Sequence, residues 1–63
     1  PPGPTQVQAA IAAVHDEAVR AHLLERDGQR TAAAELFLTA AAKTSSTAER
    51  NYLLGKAARA SGE

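Results

Sequence analysis

The side chains that come closest to forming a chemical site are two histidines and their acidic neighbours in the first half of the chain. His15 and His22 are seven residues apart, so they share one face of a helix, near Asp16, Glu17 and Glu25. Positions two helical turns apart are separated by about 10 Å along the axis, too far for both imidazoles to bind one metal ion without a second helix. The pattern therefore favours a solvated polar face over a metal site.

Nucleophilic catalysis has even less support in the sequence. It needs a Ser, Thr or Cys held beside a base, and no such constellation is visible in a chain that has no cysteine at all. The absence of thiols also excludes a disulfide and fits a reducing compartment. No apolar run approaches the about 20 residues that span a bilayer. We therefore expect a soluble, cytoplasmic protein that is not an enzyme, has no metal or cofactor and makes no membrane contact.

The charge balance bears on possible nucleic-acid binding. Seven basic and seven acidic residues give a formal net charge of zero, which argues against a protein whose affinity comes from neutralising phosphates. The basic residues Arg50, Lys56 and Arg59 lie near the end of the chain. Basic residues toward a helix C-terminus commonly complement the helix dipole. We expect no direct contact with nucleic acid.

The apolar residues can build only a thin core. The chain has 63 residues, enough for one domain, and 16 of its 28 hydrophobic residues are alanine. Without a disulfide, a core of this kind usually needs a metal, a partner or very close helix packing as a supplement. The chain begins without methionine, so we also expect it to be processed or to be a fragment of a longer protein.

Proline and glycine mark the limits of the first helix. Residues 1–4 are Pro and Gly only and predict a disordered lead-in. Thr5 is a candidate N-cap, and Gly28 suits a helix C-terminus. We predict a helix over about 6–27. Its stripe consists of residues spaced by alternating steps of four and three, namely Val7, Ile11, Val14, Ala18 and Ala21.

Two shorter helices follow. Thr31 is a candidate cap for a helix over about 31–44. A hydroxyl-rich segment then breaks the pattern, because such side chains favour caps and turns. Ser46 and Glu49 form a capping-box pattern that predicts a third helix over about 47–60.

These elements predict an all-α fold, a helical hairpin with a third capping helix in a single domain over residues 5–63. Alanine-rich faces allow helix axes to approach closely. Phe37 and Tyr52, the two aromatic residues, are expected near the centre of the three-helix contact. Gly55 lies inside the third helix, so either packing is close there or the helix is less stable.

The first helix is longer than the other two, and this has a consequence for assembly. Its first turns, with Val7 and Ile11, should stay exposed in a monomer unless another surface covers them. Together with Val14 they form a possible self-association face. Core packing and partner binding both remain open as roles for this stripe.

The stretch LLERDGQRTAAAELFLTAAAKTSS, residues 23–46, resembles a tetratricopeptide (TPR) repeat, in which a small residue and a glycine let two helices cross closely. The aromatic residue expected near the start is absent, and Ser45 stands where a proline often falls. The matching positions are Ala21, Leu24, Gly28, Ala33, Phe37 and Ala40.

A longer likeness covers QAAIAAVHDEA, residues 8–18, and VRAHLLERDGQRTAAAELFLTAAAKTSSTAERNYLL, residues 19–54. Together these segments resemble the C-terminal TPR-like extension of a group of bacterial extracytoplasmic-function (ECF) sigma factors. In that family a long helical stretch separates the two segments, whereas here Ala18 runs directly into Val19. The resemblance therefore implies an abbreviated repeat array.

The resemblance implies a regulatory module of bacterial transcription that acts through protein contacts. It implies sigma-factor domains or RNA polymerase as partners. It does not imply DNA reading, because the segments that read promoters are not in this chain. The concave face of such domains would be lined here by His15, Val19, His22 and Arg26. The alternative is a structural module that forms homodimers through the long first helix.

Overall fold

Three helices and no strand make up the computed structural model, which describes residues 4–62 and their side chains from residue 8 onward. The helices are α1 (Pro4–Arg26), α2 (Arg30–Lys43) and α3 (Thr47–Ala60). The predicted all-α class is confirmed. The predicted lead-in lies largely outside the described residues. Helix α1 begins at Pro4 instead of following a Thr5 cap, and proline suits a first helical position because it has no N–H to leave unpaired.

The end of α1 is a Schellman motif centred on Gly28. This glycine has φ +86°, and its N–H donates to the carbonyl of Glu25 at 3.1 Å. The N–H of Gln29 donates to the carbonyl of Leu24 at 2.9 Å. These two bonds pair carbonyls that the helix itself leaves open, and they reverse the chain within three residues.

Because the reversal is so tight, α2 starts earlier than its sequence pattern indicates. The residue before the helix is Gln29, whose carbonyl accepts from the N–H of Ala33 at 3.0 Å, and no side chain caps this end. The prediction that Thr31 caps α2 is therefore wrong. The geometry of the preceding turn, and not a hydroxyl side chain, sets the start at Arg30.

The turn between α2 and α3 is held by a buried threonine. The hydroxyl of Thr44 accepts from the N–H of Ser46 at 3.2 Å and also bonds the carboxylate of Glu49. The Ser46 hydroxyl accepts from the N–H of Glu49 at 3.1 Å, as the capping-box pattern predicts. The Glu49 carboxylate accepts from the Thr44 hydroxyl and not from the N–H of Ser46. The second hydrogen bond of the capping box is therefore replaced by a bond between the Thr44 hydroxyl and the Glu49 carboxylate.

Helix α2 is the middle element and packs against both neighbours, whereas α1 and α3 have little contact with each other. Phe37 and Leu53 are the largest fully buried side chains. The prediction that Tyr52 lies in the core is wrong: it is 56% exposed, because its neighbour Leu53 takes the inward position and adjacent helical residues point about 100° apart. Seven of the ten buried apolar residues are alanines, namely Ala21, Ala33, Ala34, Ala40, Ala41, Ala57 and Ala60.

The first turns of α1 extend beyond the end of α2, since α1 has 23 residues and α2 has 14. Ile11, on these turns, is 65% exposed. Val14 is only 5% exposed and belongs to the core. The predicted self-association face must therefore be corrected, because the folded chain already buries Val14. The side chain of Val7 lies outside the described part.

Replacing Gly28 or Gly55 by alanine should change the free energy of unfolding in opposite directions. A Cβ at Gly55 would meet no atom within 4 Å, so Gly55→Ala should raise the free energy of unfolding by about 0.5 to 1 kcal/mol through helix propensity. Gly28→Ala should lower it by about 1 kcal/mol, because L-residues avoid positive φ. Urea unfolding followed by circular dichroism measures both. A loss of stability in Gly55→Ala would contradict the open environment of Gly55.

Candidate functional site

A cluster of polar side chains on the buried Phe37 ring joins all three helices. The His22 ring meets Phe37 edge to face, with centroids 5.2 Å apart. The Lys56 ammonium lies 5.7 Å from the Phe37 centroid and 3.5 Å from the Glu25 carboxylate, whose same oxygen is 3.9 Å from His22 Nδ1. We call these four residues the His22 cluster. Its cation–π contact and ion pair connect α1 to α3 across α2.

Next to this cluster, the outer face of α3 carries a shallow depression of about 280 Å³ with a mostly apolar surface. Gly55 lies in it, and a Cβ atom at this position would meet no side chain or neighbouring helix within 4 Å. We call this feature the Gly55 depression. Lys56 belongs to both features, so they form one continuous surface. The depression is lined by Asn51, Tyr52, Gly55, Lys56 and Arg59.

The four candidate contact residues on α1 are not equivalent. His15 and Arg26 are exposed, and Val19 is 44% exposed, so all three are accessible. His22 instead packs on Phe37 and adjoins the Gly55 depression through the shared Glu25–Lys56 pair. Spacing places the four on one stripe of α1, and the His22 ring packs against Phe37 of α2.

The two histidines and the acidic residues near them do not form a set of metal ligands in the described part of the chain. No group of three or more His, Asp or Glu able to hold an ion occurs in the part of the chain that the structure describes. Glu17 lies between His15 and His22 in the sequence and forms an ion pair with Lys43 of α2. One oxygen of Glu17 is buried without a hydrogen-bond partner among the described residues.

The basic residues of α3 serve largely to hold the fold together. Arg50 donates to the carbonyl of Thr44 at 2.9 Å and to that of Ala41 at 3.3 Å, so it closes the C-terminal end of α2. Lys56 pairs with Glu25. Arg59 is different, because within residues 8–62 its guanidinium forms no ion pair with a carboxylate.

Sequence reasoning missed the Gly55 depression and the pairing of Glu25 with Lys56. These two residues lie on different helices, and neither spacing nor composition relates positions so far apart. The signal that was available was Gly55 itself, an interior helical glycine that costs stability and therefore hints at a special surface.

No model of a known protein family matches the chain, and neither a curated protein nor a solved structure is significantly similar to it. None of the helices described is long and apolar enough to cross a membrane.

Proposed function

We propose that this chain is a non-catalytic protein-interaction module. The observation that supports this proposal is the distribution of apolar side chains: alanines make up most of the buried apolar residues, while several large apolar residues lie on the surface. An exposed Leu alone would mean little, but several large apolar side chains exposed on neighbouring helices in so small a domain favour protein contacts. Those more than 40% exposed are Ile11, Val19, Leu23, Leu38, Tyr52 and Leu54.

The docking surface that these features favour combines the α1 face that carries His15, Val19, His22 and Arg26 with the Gly55 depression. Val19 on α1 and Tyr52 on α3 offer half-exposed apolar area, and the His22 cluster, which packs on the fully buried Phe37 ring, joins the helices that carry them. Interfaces gain affinity from a few apolar or aromatic anchors set in preorganised surroundings. This surface has both.

The setting that we propose is bacterial transcription, in the cytoplasm, beside an ECF sigma factor. This part of the proposal rests on the resemblance of residues 8–18 and 19–54 to the TPR-like extension of such factors. The partners would be the sigma-factor domains or RNA polymerase. The chain would contribute protein contacts and no contact with promoter DNA.

Fluorescence anisotropy of the labelled chain tests this proposal. We expect saturable binding to the promoter-reading domains of an ECF sigma factor or to core RNA polymerase. Val19→Asp should weaken this binding by about tenfold, which corresponds to about 1.4 kcal/mol. The control is Leu38→Asp, on α2 and similarly exposed, which should have little effect. Absence of binding to both targets would refute the proposed transcription setting, and equal loss in both variants would refute Val19 as part of the docking surface.

Self-assembly through α1 is the second candidate, and one observation favours it. The turns before Val14 have no ionisable side chain from residue 8 to residue 13, and Ile11 is the most exposed of the large apolar residues whose side chains the structure describes. A second copy could cover this surface. The burial of Val14 limits the apolar area available to such a dimer.

A further inference from the structure

We propose that the Gly55 depression receives an apolar side chain from an acidic segment of a partner protein, with a partner carboxylate paired to Arg59. The inference rests on the proposed function, since it gives the partner chemistry for the same surface. Four observations carry it: the size of the depression, its apolar surface, the missing side chain at Gly55 and the charges at its edge.

Size and surface indicate what occupies the depression. Pockets for small molecules usually span roughly 300 to 1,000 Å³ and enclose their ligand, whereas this depression has about 280 Å³ and is open. An open apolar surface of this size suits one side chain that a larger partner presents. Tyr52, 56% exposed, supplies an aromatic wall.

The charges indicate what surrounds that side chain in the partner. Lys56 and Arg59 are the charged residues that line the depression, and both are basic. Lys56 is already paired with Glu25. The Arg59 guanidinium has no carboxylate partner among the residues whose side chains are described. An acidic partner residue would therefore complement the surface.

The end of α3 does not cancel this positive charge. A helix C-terminus carries partial negative charge on its open carbonyls. Here the Arg30 side chain donates to the carbonyl of Arg59 at 3.2 Å, which satisfies that carbonyl and adds a second guanidinium nearby. A protein segment is favoured over nucleic acid because a single lining cation without a carboxylate partner among the described residues, together with one aromatic residue, offers few phosphate contacts.

A displayed library of random peptides, selected on the whole chain, supplies the probes. Selection should enrich peptides with a large apolar residue close to Asp or Glu. Labelled copies of the enriched peptides are then measured by anisotropy against variants. Gly55→Leu should weaken binding by about tenfold or more, because the new side chain fills the depression. This variant should fold well, since a Cβ at Gly55 meets no atom within 4 Å and leucine is a strong helix former.

The charge is tested separately. Selection on Arg59→Glu should favour Lys or Arg where the original peptides have Asp or Glu. Leu54→Gln, on α3 but outside the depression, is the matched control and should leave peptide affinity unchanged. The inference is overturned by a selection that enriches nothing, by peptides that tolerate Gly55→Leu, or by a single-stranded oligonucleotide that competes for the site through Arg59.

The outcome also separates this inference from the proposed function. Sigma-factor or polymerase binding that persists in Gly55→Leu overturns the role of the depression and leaves the proposed function intact. Peptide binding with the expected dependence on Gly55 and Arg59, without binding to either transcription partner, overturns the proposed setting and leaves the depression as the docking site.

Discussion

Phe37→Ala is expected to unfold the chain or leave it barely folded. Phe37 is fully buried, lies on the middle helix and contacts side chains of both other helices, His22 and Lys56. Removing a buried phenylalanine side chain costs about 3 to 5 kcal/mol. Small domains rarely have more than about 3 to 5 kcal/mol of stability. Thermal unfolding followed by circular dichroism should show helix content that is largely lost at room temperature.

The neighbouring residue provides the control. Leu38 is 51% exposed, so Leu38→Ala should change the free energy of unfolding by less than about 0.5 kcal/mol. If both variants retained wild-type helix content and unfolded at similar temperatures, Phe37 would not be the centre of the core. Rescue of Phe37→Ala by a bound partner would still agree with the structure, because binding to the folded state raises apparent stability.

Lys43→Met is expected to destabilise the protein by about 1 to 3 kcal/mol, although Lys43 is itself half exposed. The reason lies with its partner. The Glu17 side chain is only 16% exposed, pairs with Lys43 and has a second oxygen that is buried without a described partner. Without Lys43, a largely buried carboxylate loses the group that compensates its desolvation.

A double-mutant cycle with Glu17→Met tests this explanation. Glu17→Met should cost less than Lys43→Met, since it leaves only a half-exposed ammonium. The double variant should recover most of the loss, because replacing a buried ion pair by apolar side chains of similar size is often neutral. Urea unfolding gives the four stabilities. Strictly additive losses would contradict a coupled pair.

The helices were predictable because each has a local signal that agrees with the packing. Gly28 ends α1, and Ser46 with Glu49 starts α3, as the sequence indicates. The start of α2 was not predictable from Thr31, because the Schellman turn decides it through backbone bonds that any residue other than proline can form at position 29. Local chemistry thus identifies helices more reliably than the residue at which each begins.

The surface was predictable only in part. Helical spacing alone places His15, Val19, His22 and Arg26 on one stripe, but it cannot tell that His22 packs on Phe37. Tyr52 and Leu53 are equally plausible core residues by type, and tertiary packing chose Leu53. The pairing of Glu25 with Lys56 depends on how α1 and α3 approach each other across α2, which no local pattern specifies.

The measurement that tests the central claim most directly is sedimentation equilibrium over a wide concentration range, with circular dichroism on the same samples. The chain buries Phe37, Leu53 and Val14 by its own three helices. We therefore predict a monomer with constant helix content at every concentration, which leaves the docking surface free for a different protein. A dimer that loses helix content on dilution would contradict this account and would favour self-assembly through α1.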